Sequence, residues 1–163
     1  MESGEICTRS KGLMQGYWRN RQATEQALRE GWMYTGDVGY LDHEAYLFVQ
    51  DRKKDMIISG GENIYSREVE EALLLHPSVL EAAVIGVPDA KWGETVKAFV
   101  AFKNGQSASE QELQAHCRSL IAAYKCPRSV EVMAALPRIL STNKIDKRAL
   151  RAPYWPASGR QVA

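Results

Sequence analysis

The segment from Asp51 to Gly61 constrains the organisation of this chain more than any other part of the sequence. Its first five positions are all charged, and a short apolar strand then ends in the glycine pair Gly60-Gly61. Cations can donate charge-assisted hydrogen bonds to phosphate oxygens, and glycines let the backbone approach a ligand closely and adopt positive φ. The segment therefore predicts a hinge beside a phosphate-rich ligand, with a domain boundary at residues 51–55.

The residues after this hinge alternate short strands with amphipathic helices. The apolar patterns predict strands over 56–59, 80–87, 96–102 and 130–133. Helices are predicted from Ser66, whose hydroxyl can cap, up to Pro77, from the capping box Ser109–Glu112 onward, and over 145–151. This order predicts an α+β fold, a small two-layer sandwich in which helices cover a three-stranded sheet.

Residues 1–50 form a less self-contained unit. A strand is predicted in the first ten residues, a helix over 20–30 with Gly31 as its cap, and a strand over 46–50. These elements carry too little apolar surface to close a core of their own. We therefore expect residues 1–50 to be the last strands of a larger N-terminal domain, and residues 156–163 to be a disordered tail.

The composition excludes several classes of protein. The formal net charge is +1, which gives no electrostatic reason to expect a nucleic-acid partner. No stretch approaches the roughly 20 apolar residues of a membrane span. The three cysteines, Cys7, Cys117 and Cys126, form no CxxC pair and are odd in number, which is typical of free thiols in a reducing compartment. Together these features predict a cytoplasmic protein without a membrane span.

Three motifs, in this order, carry a resemblance to a known family. They are Tyr34-Thr35-Gly36-Asp37, the segment from Asp51 to Gly61, and Lys144 within Ser-Thr-Asn-Lys-Ile-Asp-Lys-Arg. Together they resemble the C-terminal signatures of AMP-forming acyl-CoA synthetases, which are part of the adenylate-forming superfamily. The resemblance implies that residues 1–51 end the family's large N-terminal AMP-binding domain, that residues 52–155 form its C-terminal domain, and that residues 156–163 are a tail.

The resemblance also implies which residues handle the nucleotide. Asp37 would accept the ribose hydroxyls of ATP or AMP, and Arg52 would contact the same nucleotide. Lys144 would be the catalytic lysine of adenylation, because an ammonium stabilises charge on the phosphate oxygens. Lys54 matches the hinge residue about which the family's small domain rotates. Taken alone, Asp37 also fits a turn, Lys53 a solvated surface charge, and Lys144 the basic helix that follows it.

A second set of residues is implied to face CoA in the thioester-forming state. The loop between the apolar strand and the helix at Ser66 would face the pantetheine arm, and two further family-like segments would lie along the CoA path. The residues implied are Ser59, Gly60, Gly61, Glu62, Asn63, Trp92, Arg118, Cys126, Pro127 and Arg128. A packing role for Trp92 and a core position for Tyr124 remain open.

The implied reaction has two halves. A small carboxylic acid, fatty or aromatic, and MgATP would give acyl-AMP and pyrophosphate, and the CoA thiol would then displace AMP. The Mg²⁺ ligand and the acyl pocket would belong to the N-terminal domain of the same synthetase, so this chain alone is expected to be inactive. The alternatives are an adenylation enzyme that loads a carrier protein and a non-catalytic CoA-binding or interaction remnant.

One position departs from the family pattern. Family members usually carry glycine immediately before the catalytic lysine, whereas this chain carries Asn143. The stretch from Pro137 to Lys144 is also one residue longer than is common. Asparagine tolerates left-handed backbone better than most residues. We therefore expect Asn143 to serve this loop in place of glycine.

Overall fold

The computed structural model describes residues 2–155, which divide into two compact units. The first unit ends at Lys54 and the second begins at Asp55. Each unit has a sheet of its own. The tail predicted over residues 156–163 lies outside the described residues.

The first unit is built around one long strand. Its elements are β1 (Gly4–Thr8), α1 (Arg21–Ala27), β2 (Leu28–Arg29), β3 (Trp32–Leu41) and β4 (Leu47–Arg52). The long strand β3 pairs antiparallel with β1, β2 and β4. The predicted strands at the start of the chain and over 46–50 are confirmed, although β4 continues to Arg52. Strands β2 and β3 were not predicted from the sequence.

The helix predicted over residues 20–30 is shorter than expected. Asn20 caps it with its side chain, and the helix ends at Ala27. A two-residue turn, Glu30-Gly31, then joins β2 to β3, and its φ angles are 51° and 79°. Positive φ at both central residues is the requirement of a type I′ hairpin turn. Gly31 therefore serves a hairpin, and its prediction as a helix cap was wrong.

The second unit combines one sheet with three helices. Its elements are β5 (Ile57–Ser59), β6 (Glu62–Ile64), α2 (Ser66–Leu74), β7 (Val79–Asp89), β8 (Gly93–Phe102), α3 (Glu110–Leu120), β9 (Ser129–Val132) and α4 (Lys147–Arg151). The strand order is β6-β5-β8-β7, and β9 pairs in parallel with β8. The predicted α+β class is confirmed, and each predicted strand and helix of this unit is present within a few residues.

This sheet has five strands, two more than the three predicted. The strand predicted over 56–59 is β5, and it forms a hairpin with the unpredicted strand β6. This hairpin joins the sheet where Ser59 pairs with Gly93. Its two-residue turn is Gly60-Gly61, with φ angles of 60° and 89°. The expectation of a loop that runs from the strand straight to the helix at Ser66 is therefore wrong. The glycine pair marks a tight turn because both of its residues adopt positive φ.

Both faces of this sheet are covered. Successive side chains of β7 point to opposite sides of the sheet, and on each side they join a hydrophobic cluster. Val84 belongs to a hydrophobic cluster with Leu73 of α2 and Leu113 of α3. The next residue, Ile85, belongs to a second cluster with Leu150 of α4. The predicted two-layer sandwich therefore describes one face of the sheet, and the segment that ends in α4 covers the other.

The helix starts follow the prediction at α3 but not at α2. Ser109 and Glu112 make both hydrogen bonds of the predicted capping box. Ser66, in contrast, is the first residue of α2 and is fully buried. Its hydroxyl accepts a hydrogen bond from Lys147 Nζ at 2.7 Å, so its predicted capping role is wrong. The helix ends at Leu74, already before the proline that was expected to stop it.

Two mostly buried ion pairs hold α4 in place. Lys147 Nζ lies 2.7 Å from Glu70 Oε1, and Arg151 Nη2 lies 2.7 Å from Asp55 Oδ1. In the second pair, Arg151 Nη2 and Asp55 Oδ1 are close enough for an ion pair, but among the described residues neither atom has a hydrogen-bond partner. Removing one partner of such a pair would leave an uncompensated buried charge. The position of α4 is therefore tied to both α2 and the start of the second unit.

Side chains also close the outer edge of β7, the last strand of the sheet order. Glu70 Oε1 accepts a hydrogen bond from the Val84 backbone N–H at 2.8 Å. The indole of Trp155 donates to the Gly86 carbonyl at 3.0 Å. These contacts satisfy backbone groups that no strand among the described residues reaches on that side.

Candidate functional site

A cavity of about 420 Å³ opens in the second unit beside the β5–β6 turn. Its walls come from that turn, from the beginning of β8, from α3 and from the segment 123–128. We call it the glycine-turn pocket. Its volume lies in the range of cavities that hold small molecules.

Eight of the ten residues predicted to face CoA line the glycine-turn pocket. These eight are Ser59, Gly60, Glu62, Trp92, Arg118, Cys126, Pro127 and Arg128. The remaining two, Gly61 and Asn63, belong to the same hairpin but do not line the pocket. The eight residues come from separate segments of the sequence, so the fold brings them together.

A turn before β8 fixes the Trp92 backbone. Asp89 Oδ1 accepts hydrogen bonds from the backbone N–H groups of Lys91 and Trp92, both at 2.9 Å. These two bonds hold the pKa of Asp89 below its ordinary value, and the bond from Trp92 has the larger effect. The Trp92 carbonyl in turn accepts a hydrogen bond from the Gly60 N–H at 2.9 Å. The Trp92 backbone is therefore tied to the glycine turn.

The two glycines of that turn are required for different reasons. A Cβ atom at Gly60 would lie 2.6 Å from Cε3 of Trp92, closer than real Cβ contacts allow. At Gly61 no atom of the described residues would lie within 4 Å of a Cβ, so glycine is favoured there by its positive φ. Gly60 is therefore needed for the ring of Trp92 to lie against the turn.

Cations lie around the Trp92 ring. Lys91 Nζ is 4.7 Å and Arg128 Cζ is 5.6 Å from a ring centroid of Trp92. Arg118 and Arg128 line the pocket together with the carboxylate of Glu62. Guanidinium groups bind phosphate oxygens through several donors, and an aromatic ring supplies apolar contact. The pocket therefore suits an anionic ligand that also carries apolar or ring surface.

The pocket cysteine is an apolar wall residue. Cys126 is buried, and burial raises the pKa of its thiol above the ordinary value. The nearby Cys117 is fully buried, and burial raises its pKa to about 11. Both thiols are therefore neutral near pH 7, and since the thiolate is the nucleophile, neither is suited to covalent catalysis.

Five further pocket residues were not among the predicted site residues. They are Thr95, Val96, Gln114, Ala123 and Tyr124. Gln114 precedes Arg118 by four positions on α3, and residues at this spacing share a helix face. That spacing could have identified Gln114. Its side chain donates to the Arg128 carbonyl at 3.1 Å, which links α3 to the opposite wall.

In the first unit, the two predicted nucleotide residues lie side by side. Asp37 on β3 pairs in register with Arg52 on β4. Arg52 Nε donates to Asp37 Oδ1 at 2.9 Å, and both side chains are partly exposed. Gly36 has a φ of 74°, so Asp37 lies within a strand next to a left-handed residue. The alternative of a simple turn aspartate is therefore wrong.

The predicted catalytic lysine lies in a hairpin loop of the second unit. Arg138 and Ile145 form an isolated β-bridge, and the Ile139 N–H donates to the Lys144 carbonyl at 2.8 Å. Asn143 has a φ of 55°, so it adopts the left-handed conformation for which glycine is usual. Lys144 itself is exposed. The expectation that asparagine can serve this loop is confirmed.

The remaining charged residues of the hinge segment have mixed surroundings. Lys54, the predicted hinge residue, is exposed within a short 3-10 helix, Lys53–Asp55. Lys53 Nζ lies 3.2 Å from Glu5 Oε2, so it has a partner within the first unit.

No helix formed by the described residues is long and apolar enough to cross a membrane.

Comparison with known proteins identifies a matching family. Residues 68–143 match the model of the family described as the AMP-binding enzyme C-terminal domain. The match begins within α2 and ends at Asn143, one position before Lys144. It therefore includes most of the second unit.

Curated relatives and solved structures align along almost the whole chain. A long-chain-fatty-acid–CoA ligase of Bacillus subtilis is 49% identical over 91% of this chain and 26% of its own length. The structure of o-succinylbenzoate CoA synthetase from Bacillus subtilis, in complex with its acyl-adenylate intermediate, is 43% identical, with a TM-score of 0.86 over 92% of this chain and 30% of that one. The amide bond synthetase from Marinactinospora thermotolerans is 40% identical, with a TM-score of 0.85 over 94% of this chain and 32% of its own. The chain therefore spans less than a third of each relative.

Proposed function

We propose that the full-length protein is an AMP-forming ligase that joins a carboxylic acid to CoA. The match of residues 68–143 to the AMP-binding enzyme C-terminal domain and the 49% identity to a CoA ligase support this proposal. The observation that carries the proposal is the glycine-turn pocket, where residues from separate segments form one cavity with two arginines and a tryptophan. A ligand with phosphates, an adenine ring and an apolar arm fits this chemistry. CoA is such a ligand.

The first unit is proposed to be the end of a larger N-terminal domain. Among its described residues, Val38 is the one buried hydrophobic side chain. Its exposed large hydrophobic residues are Tyr17, Trp18, Trp32, Leu41, Tyr46, Leu47, Phe48 and Val49. A unit with one buried hydrophobic side chain and many exposed ones is typical of a part that packs against other protein. We expect that protein to be the N-terminal domain of the same synthetase.

The adenylation half-reaction would use residues from both units. A carboxylate oxygen of the acid attacks the α-phosphorus of ATP, the bond to pyrophosphate breaks, and acyl-AMP forms. Asp37 and Arg52 would hold the ribose and the nucleotide, and their adjacent positions support a joint role. Lys144 would stabilise charge on the phosphate oxygens, since a positioned cation is worth most where charge develops. Mg²⁺ would be held by residues outside this chain.

The thioester half-reaction would use the glycine-turn pocket. The sulfur of CoA attacks the acyl carbonyl carbon, its proton is lost, and the bond to AMP breaks. Arg118 and Arg128 would bind CoA phosphates, and the Gly60-Gly61 turn would lie along the pantetheine arm. Between the two half-reactions, rotation about Lys54 would move Lys144 away from the acyl-AMP and bring the glycine-turn pocket to it.

Two other functions remain alternatives. The amide bond synthetase has this fold at 40% identity. The names of similar proteins therefore indicate enzymes that form different bonds. An adenylation enzyme that loads a carrier protein would accept the pantetheine arm without the adenine end of CoA. A non-catalytic CoA-binding remnant would bind CoA without adenylating an acid. The exposed Lys144, in a well-formed hairpin, favours a catalytic protein over the remnant.

The proposal is tested by thioester formation with the full-length protein. Purified enzyme would be incubated with ATP, Mg²⁺, CoA and a panel of acids that includes long-chain fatty and aromatic acids. Release of AMP with formation of acyl-CoA supports the proposal and identifies the acid. If acyl-AMP forms but free CoA does not accept the acyl group, a carrier protein or an amine is the acceptor. If CoA binds and no acid is adenylated, the protein is a non-catalytic CoA-binding remnant and the proposed ligase activity is wrong.

A further inference from the structure

We propose that Arg138, held by Glu81, positions the backbone of the loop that presents Lys144. This inference rests on the proposed role of Lys144 in adenylation. Arg138 is a positioning residue in this proposal, because it acts through the loop and does not touch the reacting atoms. Neither Arg138 nor Glu81 was among the residues predicted to have a role.

The guanidinium of Arg138 joins the Lys144 loop to the central sheet. Its Nη1 donates to the Asn143 carbonyl at 2.6 Å, and Asn143 immediately precedes Lys144. Its Nη2 forms an ion pair with Glu81, a residue of the long strand β7. Glu81 is partly buried, and Arg138 is exposed. A rigid strand thus holds the arginine, and the arginine holds the residue before the lysine.

The loop also has backbone hydrogen bonds of its own: within its turn, the N–H groups of Thr142 and Asn143 donate to the Ile139 carbonyl at 3.2 and 2.8 Å. The base of the hairpin is fixed by hydrogen bonds from Ile139 N–H to the Lys144 carbonyl at 2.8 Å and from Asp146 N–H to the Pro137 carbonyl at 2.7 Å. Residues 140–144 are all exposed, and Leu140 is fully so. Packing therefore contributes little at the tip. The contact from Arg138 adds a side-chain hydrogen bond to the carbonyl of Asn143, the residue with the left-handed φ, and through Glu81 it ties this turn to β7.

The geometry of arginine suits this task better than that of lysine. Two different terminal nitrogens of Arg138 reach the carbonyl and the carboxylate, which lie on different elements. A guanidinium holds its donors in a fixed fork, whereas a lysine offers a single nitrogen on a flexible stem. Arg138→Lys should therefore keep the charge but recover only part of the effect. The neutral Glu81→Gln should weaken the ion pair without removing side-chain volume.

The expected effect is on the rate of adenylation. A misplacement of a catalytic group by about 1 Å can cost up to about 10²-fold in rate. We expect Arg138→Ala to lower kcat for acid-dependent pyrophosphate release about 10-fold, and Glu81→Gln to lower it by a smaller factor. KM for ATP should change little, because the nucleotide contacts of Asp37 and Arg52 are untouched. Transfer of preformed acyl-AMP to CoA should also stay within about 2-fold of wild type.

A double-mutant cycle tests whether Arg138 acts through Lys144. Adenylation is measured in the full-length protein for Arg138→Ala, Lys144→Ala and the combined variant, and Arg67→Ala serves as a matched control. Arg67 also pairs with a glutamate, Glu71 at 2.8 Å, but on the exposed surface of α2. If the inference is correct, Arg138→Ala has no further effect once Lys144 is alanine, and Arg67→Ala behaves as wild type.

The outcomes separate this inference from the proposed function. If Lys144→Ala leaves adenylation intact, the proposed role of Lys144 is wrong. If Lys144→Ala abolishes adenylation while Arg138→Ala does not slow it, only the positioning role is overturned. It is also overturned if the two substitutions lower the rate independently, or if Arg138→Ala impairs both half-reactions equally. Glu81→Gln, which keeps volume, distinguishes these outcomes from a failure of Arg138→Ala to fold.

Discussion

The Trp92 ring occupies the space that a side chain at Gly60 would need, because a Cβ there would lie 2.6 Å from Trp92 Cε3. The same two residues are joined by a hydrogen bond from the Gly60 N–H to the Trp92 carbonyl at 2.9 Å. The tight turn and the aromatic wall of the pocket therefore depend on each other. A substitution at Gly60 would move a ring that lines the cavity.

Alanine substitutions at the two glycines should have different consequences for catalysis. Both Gly60→Ala and Gly61→Ala place an L-residue at positive φ, which costs about 1 kcal/mol of stability. Only Gly60→Ala also displaces the ring of Trp92. We expect Gly60→Ala to slow transfer of preformed acyl-AMP to CoA by about 10-fold or more. Gly61→Ala should transfer at a rate near wild type, and neither variant should lose adenylation.

Gly61→Ala is the matched control for backbone strain, and the free energy of unfolding should be similar for the two variants. Equal losses of CoA transfer would mean that strain in the turn, and not the position of Trp92, determines the rate. A bulky Gly61→Leu side chain would point into open space, so obstruction of the pocket is not expected there. A loss of adenylation with intact CoA transfer would contradict the assignment of this turn to the thioester step.

Lys144→Ala should separate the two half-reactions. Removal of one positioned cation is expected to lower the rate of adenylation about 10²-fold or more. Thioester formation from preformed acyl-AMP should remain largely intact, because the exposed lysine lies outside the glycine-turn pocket. The two rates are measured separately, as acid-dependent pyrophosphate release and as acyl-CoA formation. Equal losses in both would indicate a structural role for the lysine.

The 163-residue chain alone should form no acyl-adenylate. One lysine and one Asp37–Arg52 pair supply too few contacts to hold MgATP against the cost of ordering it. The measurement is acid-dependent pyrophosphate release by the purified chain, with the full-length protein as the positive control. Detectable release by the chain would show that it contains a complete adenylation site, and the proposed division of domains would then be wrong.

The capping box of α3 should give the second unit a pH-dependent contribution to stability. Hydrogen bonds from the Ser109 backbone N–H, which has the larger effect, and from the Ser109 hydroxyl hold the pKa of Glu112 below its ordinary value of 4.5. Because the folded pKa is lower, this contribution is complete above pH 4.5 and is lost as the pH falls through the folded pKa. Glu112→Gln should therefore be less stable than wild type near neutral pH and should approach it in acid.

Urea unfolding of wild type and Glu112→Gln at about pH 7 and about pH 3 checks this sign. Asp89, whose pKa is also lowered, is present in both proteins, so the difference between them isolates Glu112. Ser109→Ala provides a second variant and should cost about 1 kcal/mol near neutral pH through loss of the cap. A stability difference that grows towards acid pH would contradict the assigned pKa direction.

Local sequence patterns predicted most of the second unit. The capping box at Ser109 and the strand over 96–102 depend on neighbouring residues, and both are present as predicted. Ser66 was misjudged because its partner, Lys147, lies far along the chain and local capping rules do not include it. The β5–β6 hairpin was missed because a glycine pair before a helix also fits an open loop. Its two positive φ angles require a turn instead.

The candidate site was predictable in composition but not in arrangement. Motifs identified eight residues of the glycine-turn pocket, yet the contact between Gly60 and Trp92 joins separate segments and follows only from the fold. Gln114 carries no motif of its own. The pairing of Asp37 with Arg52 required the long strand β3, which the sequence analysis did not find. Contacts between distant segments are thus the part that local patterns leave open.

The side chains along the outer edge of β7 also affect how the protein behaves at high concentration. A long strand with free N–H and C=O groups is a template on which another molecule can add a strand, and this is a common route to aggregation. Glu70 occupies the Val84 N–H and Trp155 occupies the Gly86 carbonyl, so a foreign strand would first have to displace both. Loss of the Trp155 indole should therefore favour aggregates rich in intermolecular β-structure before it abolishes folding.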